Sequence, residues 1–224
     1  MVKFVENELQ TIKQEVNDMW ELVQKQFENA RTAVLSGDRN LAAVVIGREK
    51  RVNSFELRID SDIEDFIALY NPVAIDLRFS LAMLNISNNL ERLGDYAEGI
   101  ARFVVRNEVD EQAKELIAQM ELPKMFDMVL DMFSTVFRAL KSHDIEAAKS
   151  IFDRDDAIDE LNRESLDRLT DYATAHPQSV RLCLEVSALF RKLERAGDHI
   201  NNLAEQTVYY IDAEVLKHTN NKEL

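Results

Sequence analysis

Leu90-Glu91-Arg92-Leu93-Gly94-Asp95 returns 103 residues later as Leu193-Glu194-Arg195-Ala196-Gly197-Asp198. Five of the six residues are identical, which chance rarely produces twice in one chain. Each copy sits in a helical seam. In the first, Met83, Ile86, Leu90, Leu93, Ala97, Ile100 and Val104 recur at steps of three and four. In the second, Leu182, Val186, Leu189, Leu193, Ala196, Ile200 and Leu203 do the same. This is the apolar stripe of a packed bundle helix. A chain that repeats such a helix must fold as two like units.

The repeat extends back through each half. Met19-Trp20 matches Met125-Phe126, and Val23, Phe27 and Ala33 match Val129, Phe133 and Ala139, all at 106 residues. Asn71-Pro72 matches His176-Pro177 at 105, so three residues are lost in and just after the second interhelix connection. Five glycines and three prolines in 224 residues favour long uninterrupted helices. The first-half helices are expected at about 3–35, 39–69 and 72–106. Gly37 should supply a left-handed C′, Asp38 the next N-cap, and Pro72 the first position of the third helix. The second-half helices are expected at about 111–141, 144–174 and 177–213, with Pro123 setting off a short lead-in. The chain after Asp212 should fray. The fold class is therefore all-α, two tandem three-helix bundles, with domains at 1–107 and 111–213.

The acids form a stripe of their own. Glu91, Asp95 and Glu98 stand at i, i+4, i+7; Glu194 and Asp198 repeat the first step, with Asn202 at i+8 and Glu205 at i+11 on the same side. Relative to the seam these are outward positions. Stacked carboxylates repel by tenths of a kcal/mol per exposed pair. A bridging hard cation such as Mg²⁺, Ca²⁺, Mn²⁺ or iron reverses that sign. The second helix offers more oxygens: Asp155 and Asp159, which correspond at 106 residues to Glu49 and Asn53. An antiparallel neighbour brings these beside the third helix. The same acids also fit an ordinary solvated helix face, and the residues alone leave both readings open. Gly94 and Gly197 fit either close approach beside the acids or close helix packing.

The formal net charge of −14 repels nucleic acid and anionic lipid headgroups. The single cysteine, Cys183, lies in an apolar stretch and reads as a core thiol. No apolar signal core or membrane-length stretch is seen, so a soluble, cytoplasmic protein is expected. None of the four histidines has Glu three residues before it, and no glycine-rich phosphate loop or zinc-type array is present. The expectation is a non-enzyme. His199, next to Asp198, is a further residue that a cation could touch.

The duplicated three-helix unit, Asn71-Pro72-Val73-Ala74-Ile75-Asp76-Leu77-Arg78 and the paired E-R-x-G-D segments resemble the PhoU family of phosphate-signalling proteins. The resemblance spans about residues 5–212. It implies a multinuclear metal site on each bundle, holding iron, manganese or magnesium. It implies a cytoplasmic negative regulator of the phosphate-starvation response, joining a phosphate ABC transporter to a sensor histidine kinase and reaching the membrane only through these partners. A homodimer stays open, as do an accessory role for another phosphate transporter and a plain helical scaffold. The family pattern places Asn four residues after the motif Asp and Glu three beyond it. Asn202 and Glu205 satisfy this, whereas Gly99 and Arg102 occupy those places in the first half. The first site is therefore expected to be the poorer one.

Overall fold

A computed structural model of the chain describes residues 2–213. Helix α1 runs over Val2–Ser36, α2 over Arg39–Tyr70 and α3 over Ile75–Arg106. Helix α4, Glu111–Gln119, leads into α5, Leu122–Ser142. Helices α6, Ile145–Lys149, and α7, Phe152–Ala175, follow, and a 3₁₀ turn at Pro177–Ser179 opens α8, Val180–Asp212. No strand occurs among the described residues. No helix among them is long and apolar enough to cross a membrane. The expected fraying lies beyond Ala213, outside the described residues.

The first turn forms as its residues dictate. Gly37 has φ +76°, and a Cβ there would meet the Val109 carbonyl at 3.1 Å. Asp38 accepts from the Asn40 and Leu41 amides at 2.9 Å each, capping α2. Asp144 caps α6 in the same way through the Ala147 amide at 3.0 Å. Pro123 stands in the first turn of α5, after the expected lead-in.

Two boundaries differ from expectation. Pro72 does not open α3. Asn71 closes α2 in the left-handed region at φ 47°, Ala74 has φ 49°, and the helix begins only at Ile75. Reversing the chain direction takes up the intervening residues, including the proline. The expected 144–174 helix is broken at Ser150-Ile151. There the Ile151 amide reaches the Ala148 carbonyl in a tight turn, and the Ser150 hydroxyl bonds back to the Ala147 carbonyl at 2.8 Å.

Each unit is up-down-up, but the two share one core. Trp20 stacks on Phe133 at 5.2 Å and on Phe137 at 5.0 Å, so an α1 side chain is buried against α5. Arg31 and Asp127 pair across the same seam at 2.9 Å. On the other seam α3 and α8 run antiparallel. Asn85 donates to Gln206 at 3.1 Å, and Phe79 meets the Tyr210 ring edge-on. Equivalent residues meet each other: Phe27 with Phe133, and Tyr96 with His199. That self-pairing is what an approximate two-fold axis between the units requires.

Both offsets survive in the packing. Val52, Phe55 and Ile63 are buried like Ile158, Leu161 and Leu169 at 106 residues, while Ile86, Leu90 and Ile100 are buried like Leu189, Leu193 and Leu203 at 103. The three missing residues thus fall around the α7–α8 connection. Cys183 is buried, and burial raises its thiol pKa.

Candidate metal centre

The acids of α3 do not face outward. Glu91 and Glu98 keep only 15% and 18% of their side-chain surface, and Asp95 keeps 42%. Helix α2 packs beside them and closes a groove, since in a three-helix unit even the flank of the seam meets a neighbour. The same burial holds Glu91 and Asp95 above the usual carboxylate range, with their mutual repulsion or a neighbouring acid adding to it.

Within this first groove the acids find donors. Asn53 donates its amide to Glu49. Arg92 lies 3.5 Å from Glu91 and 3.7 Å from Asp95. Arg102 pairs with Glu98 at 2.6 Å. Gly94 faces Val52, whose Cγ1 would lie 3.0 Å from an added Cβ, so this glycine serves close helix packing. Sequence reasoning missed Glu56, whose pKa is raised by burial, then by Asp60, and also by Asp95. Its signal was available: Glu49, Asn53 and Glu56 repeat on α2 the i, i+4, i+7 spacing of the α3 stripe.

The second groove is built alike and left short of donors. Asp155 on α7 stands against Asp159 on its own helix and Asp198 on α8. Burial first, and then those two charges, push its pKa up to about 7 despite a hydrogen bond from Asn201. Glu194 and Asp198 are raised by burial first and by acidic neighbours next. Two buried acceptors, Asp155 Oδ1 and Asn201 Oδ1, have no hydrogen-bond partner. Here the glycine makes room for the carboxylate itself: a Cβ on Gly197 would lie 2.8 Å from Asp155 Oδ1. The arginine equivalent to Arg92 is Arg195; its charge lowers the pKa values of Glu194 and Asp198, but it makes no ion pair within 4 Å among the described residues. Among the described residues no three His, Cys, Asp or Glu are already gathered into a metal cage. The donor set, all oxygen with orphaned acceptors, fits a hard cation that would draw the carboxylates inward.

Three expected contributors lie elsewhere or further off. Asn202 turns to the other unit and donates to Asn89 at 3.3 Å, while Asn201 is the amide on Asp155. His199 does not face the acids: its Nδ1 lies 2.8 Å from Asn89 Oδ1 and its Nε2 3.5 Å from the Tyr96 hydroxyl. Burial lowers its pKa. Glu205 is half-buried two turns along α8 from Asp198.

Both motif copies, and every acid placed above, fall within two segments that match a single family model. That model is the PhoU domain, found at residues 16–104 and again at 122–207. The chain belongs to the PhoU family. The accessory protein homologue of the phosphate-specific transport system in Pseudomonas putida is 30% identical over 97% of this chain and 84% of its own length. The Escherichia coli PhoU accessory protein is 29% identical over 97% of this chain and 89% of its own. The crystal structure of PhoU from Pseudomonas aeruginosa superposes with a TM-score of 0.88 at 27% identity, covering 93% of this chain and 99% of that one. The Streptococcus pneumoniae PhoU structure follows at a TM-score of 0.84 and 26% identity, covering 94% and 98%. Helix α4 lies between the two PhoU matches.

Proposed function

We propose that this chain is the PhoU accessory component of a phosphate-specific transport system and holds the phosphate-starvation response off when phosphate is plentiful. The observation that carries the reading is the pair of PhoU segments spanning most of the chain, with relatives of that description aligned over 97% of it. On this reading it acts in the cytoplasm, without catalysis, by stabilising one state of its partners. Those partners are components of a phosphate ABC transporter and a sensor histidine kinase. Long helices locked by a shared core give a rigid anionic surface, which suits basic patches on other proteins.

The second groove is the metal centre of this reading. Asp155, Asp159, Glu194 and Asp198 would hold the ion, with the Asn201 carbonyl as a neutral donor. An iron, manganese or magnesium ion would supply positive charge to a groove whose own residues leave carboxylates crowded together.

Deletion of the chain should raise starvation-gene expression in phosphate-rich medium. Replacing Glu194 and Asp198 together by Ala should reproduce part of that rise while circular dichroism stays helical, since neither side chain belongs to the apolar core. A reporter that stays silent in the deletion strain defeats the regulatory assignment. Full repression by a folded, metal-free double variant removes the metal from it.

A further inference from the structure

A cavity of about 550 Å³ opens where α3, α7 and α8 meet, lined by Tyr96, Asn162, Arg191, Lys192, Glu194 and Arg195. Its volume lies in the range of small-molecule sites. Its charge is opposite to that of the protein: three cations and one carboxylate line it, on a chain of net charge −14. Among the described residues none of the three cations makes an ion pair within 4 Å or donates a side-chain hydrogen bond. Lys192 is half-buried, with Arg191, Glu185 and Arg106 as its charged neighbours. Two guanidinium groups against one carboxylate leave the half-buried ammonium in a net positive setting, which an entering anion would offset.

The duplication supplies an internal control. At 103 residues, Arg191 and Lys192 correspond to Asn88 and Asn89, while Arg195 corresponds to Arg92. In the first half those asparagines serve structure. Asn88 donates to the Leu84 carbonyl at 2.8 Å, and Asn89 accepts from Asn202 and lies against His199. In the second half the two cations have no such duty. The fold also makes space for one of them. A Cβ on Gly99 would lie 2.8 Å from Lys192 Cε, so the lysine stem crosses α3 where a glycine replaces the family asparagine. Arg195 lines the cavity while its charge also reaches Glu194 and Asp198.

We propose that this cavity binds a small phosphate-bearing anion, held by Arg191, Lys192 and Arg195 with Asn162 and the Tyr96 hydroxyl as neutral donors. Guanidinium groups fit phosphate oxygens in pairs, and an ammonium adds a point charge. Glu194 opposes the anion, and the adjacent Arg195 offsets it. The site shares Glu194 with the acidic groove but needs no metal, so binding measured in chelator tests it apart from metal binding there.

The test is calorimetric titration of the full chain, stripped with chelator, against orthophosphate, pyrophosphate and ATP at matched ionic strength. The expected result is one-to-one binding of at least one of them, weakened at least about tenfold by Arg191→Asn with Lys192→Asn. Orthophosphate as the tightest ligand identifies the free ion, and pyrophosphate or ATP a phosphoanhydride; either supports the site. If the double variant does not fold, Arg191→Gln on its exposed side chain carries the same test. No binding by any of the three beyond that of chloride overturns the proposal, as does binding that the folded variant leaves undiminished.

Discussion

The two grooves have the same ancestry and opposite electrostatics. In the first, most of the acids have a donor or a cation beside them: Asn53 on Glu49, Arg92 beside Glu91 and Asp95, Arg102 on Glu98, with Glu56 reached by Arg92 only through its charge. In the second, Asp155 has one amide and an orphaned oxygen, and Arg195 acts on Glu194 and Asp198 through its charge without an ion pair within 4 Å among the described residues. Apolar positions equivalent between the halves stay buried in both. Packing tolerates little change in volume, whereas charges at a groove rim exchange at small cost. Duplication thus preserved the scaffold and let the sites diverge, one largely offset from within and one left with crowded carboxylates and an orphaned acceptor.

The largest expected effect separates the grooves by metal. At a hundredfold excess over its dissociation constant, a bound ion stabilises the fold by about 2.7 kcal/mol. Thermal melts with Mg²⁺, Mn²⁺ or Fe²⁺ against chelator should show the shift. Elemental analysis should find more metal lost from Asp198→Ala than from Asp95→Ala. Equal losses, or the reverse, would mean that internal donors do not decide occupancy.

Next comes the pH dependence of the metal-free protein. Asp155 has a folded pKa of about 7 against an ordinary 3.8. The folded state therefore binds the extra proton between those values, and stability falls as pH rises from about 4 to about 7. Such a shift corresponds to about 4 kcal/mol at most, and the carboxylate's partial exposure to solvent brings it to on the order of 2. Asp155→Asn should remove the penalty, because the amide oxygen can still accept from Asn201. In chelator the variant should be the more stable at pH 8 and indistinguishable from the parent near pH 4. Glu91→Gln in the first groove should gain less, since Arg92 opposes the burial there. A variant no more stable at pH 8 would show that Asp155 is better solvated than its surroundings suggest.

What the sequence revealed follows from which forces are local. The Gly37 turn and the Asp38 cap depend on residues within a few positions, and both stand where expected. The seams were visible because burial repeats with the helix. The break at Ser150 was not, because no glycine or proline marks it and the competing bond is made by a serine hydroxyl. Spacing set the acids on an outward stripe; Glu91 and Glu98 are largely covered instead, because a neighbouring helix decides what a flank faces, while Asp95 and Asp198 stay partly open to solvent. The choice of Asn201 over Asn202 was equally hidden. One points into its own unit and the other across to Asn89, a distinction set by the packing of α3 against α8.

The smallest effect on the fold is the sharpest probe of the comparison. Arg102 occupies the place that Glu205 holds in the second half, and it closes the first groove by pairing with Glu98. Arg102→Glu breaks that pair and sets a second carboxylate one turn from Glu98. Arg102 is exposed, and exposed pairs on helices contribute little to stability, so melts in chelator should barely move. The groove itself should change character. Glu98 loses its donor, the local charge falls by two, and the first groove takes on the carboxylate crowding of the second. Metal should then stabilise the variant more than the parent, with higher metal content per chain. Asp198→Ala introduced beside it should leave that extra portion intact, because it resides in the other half. If Arg102→Glu gains no metal, the arginine is not what keeps the first groove closed, and the missing second-helix acid at Asn53 becomes the deciding difference.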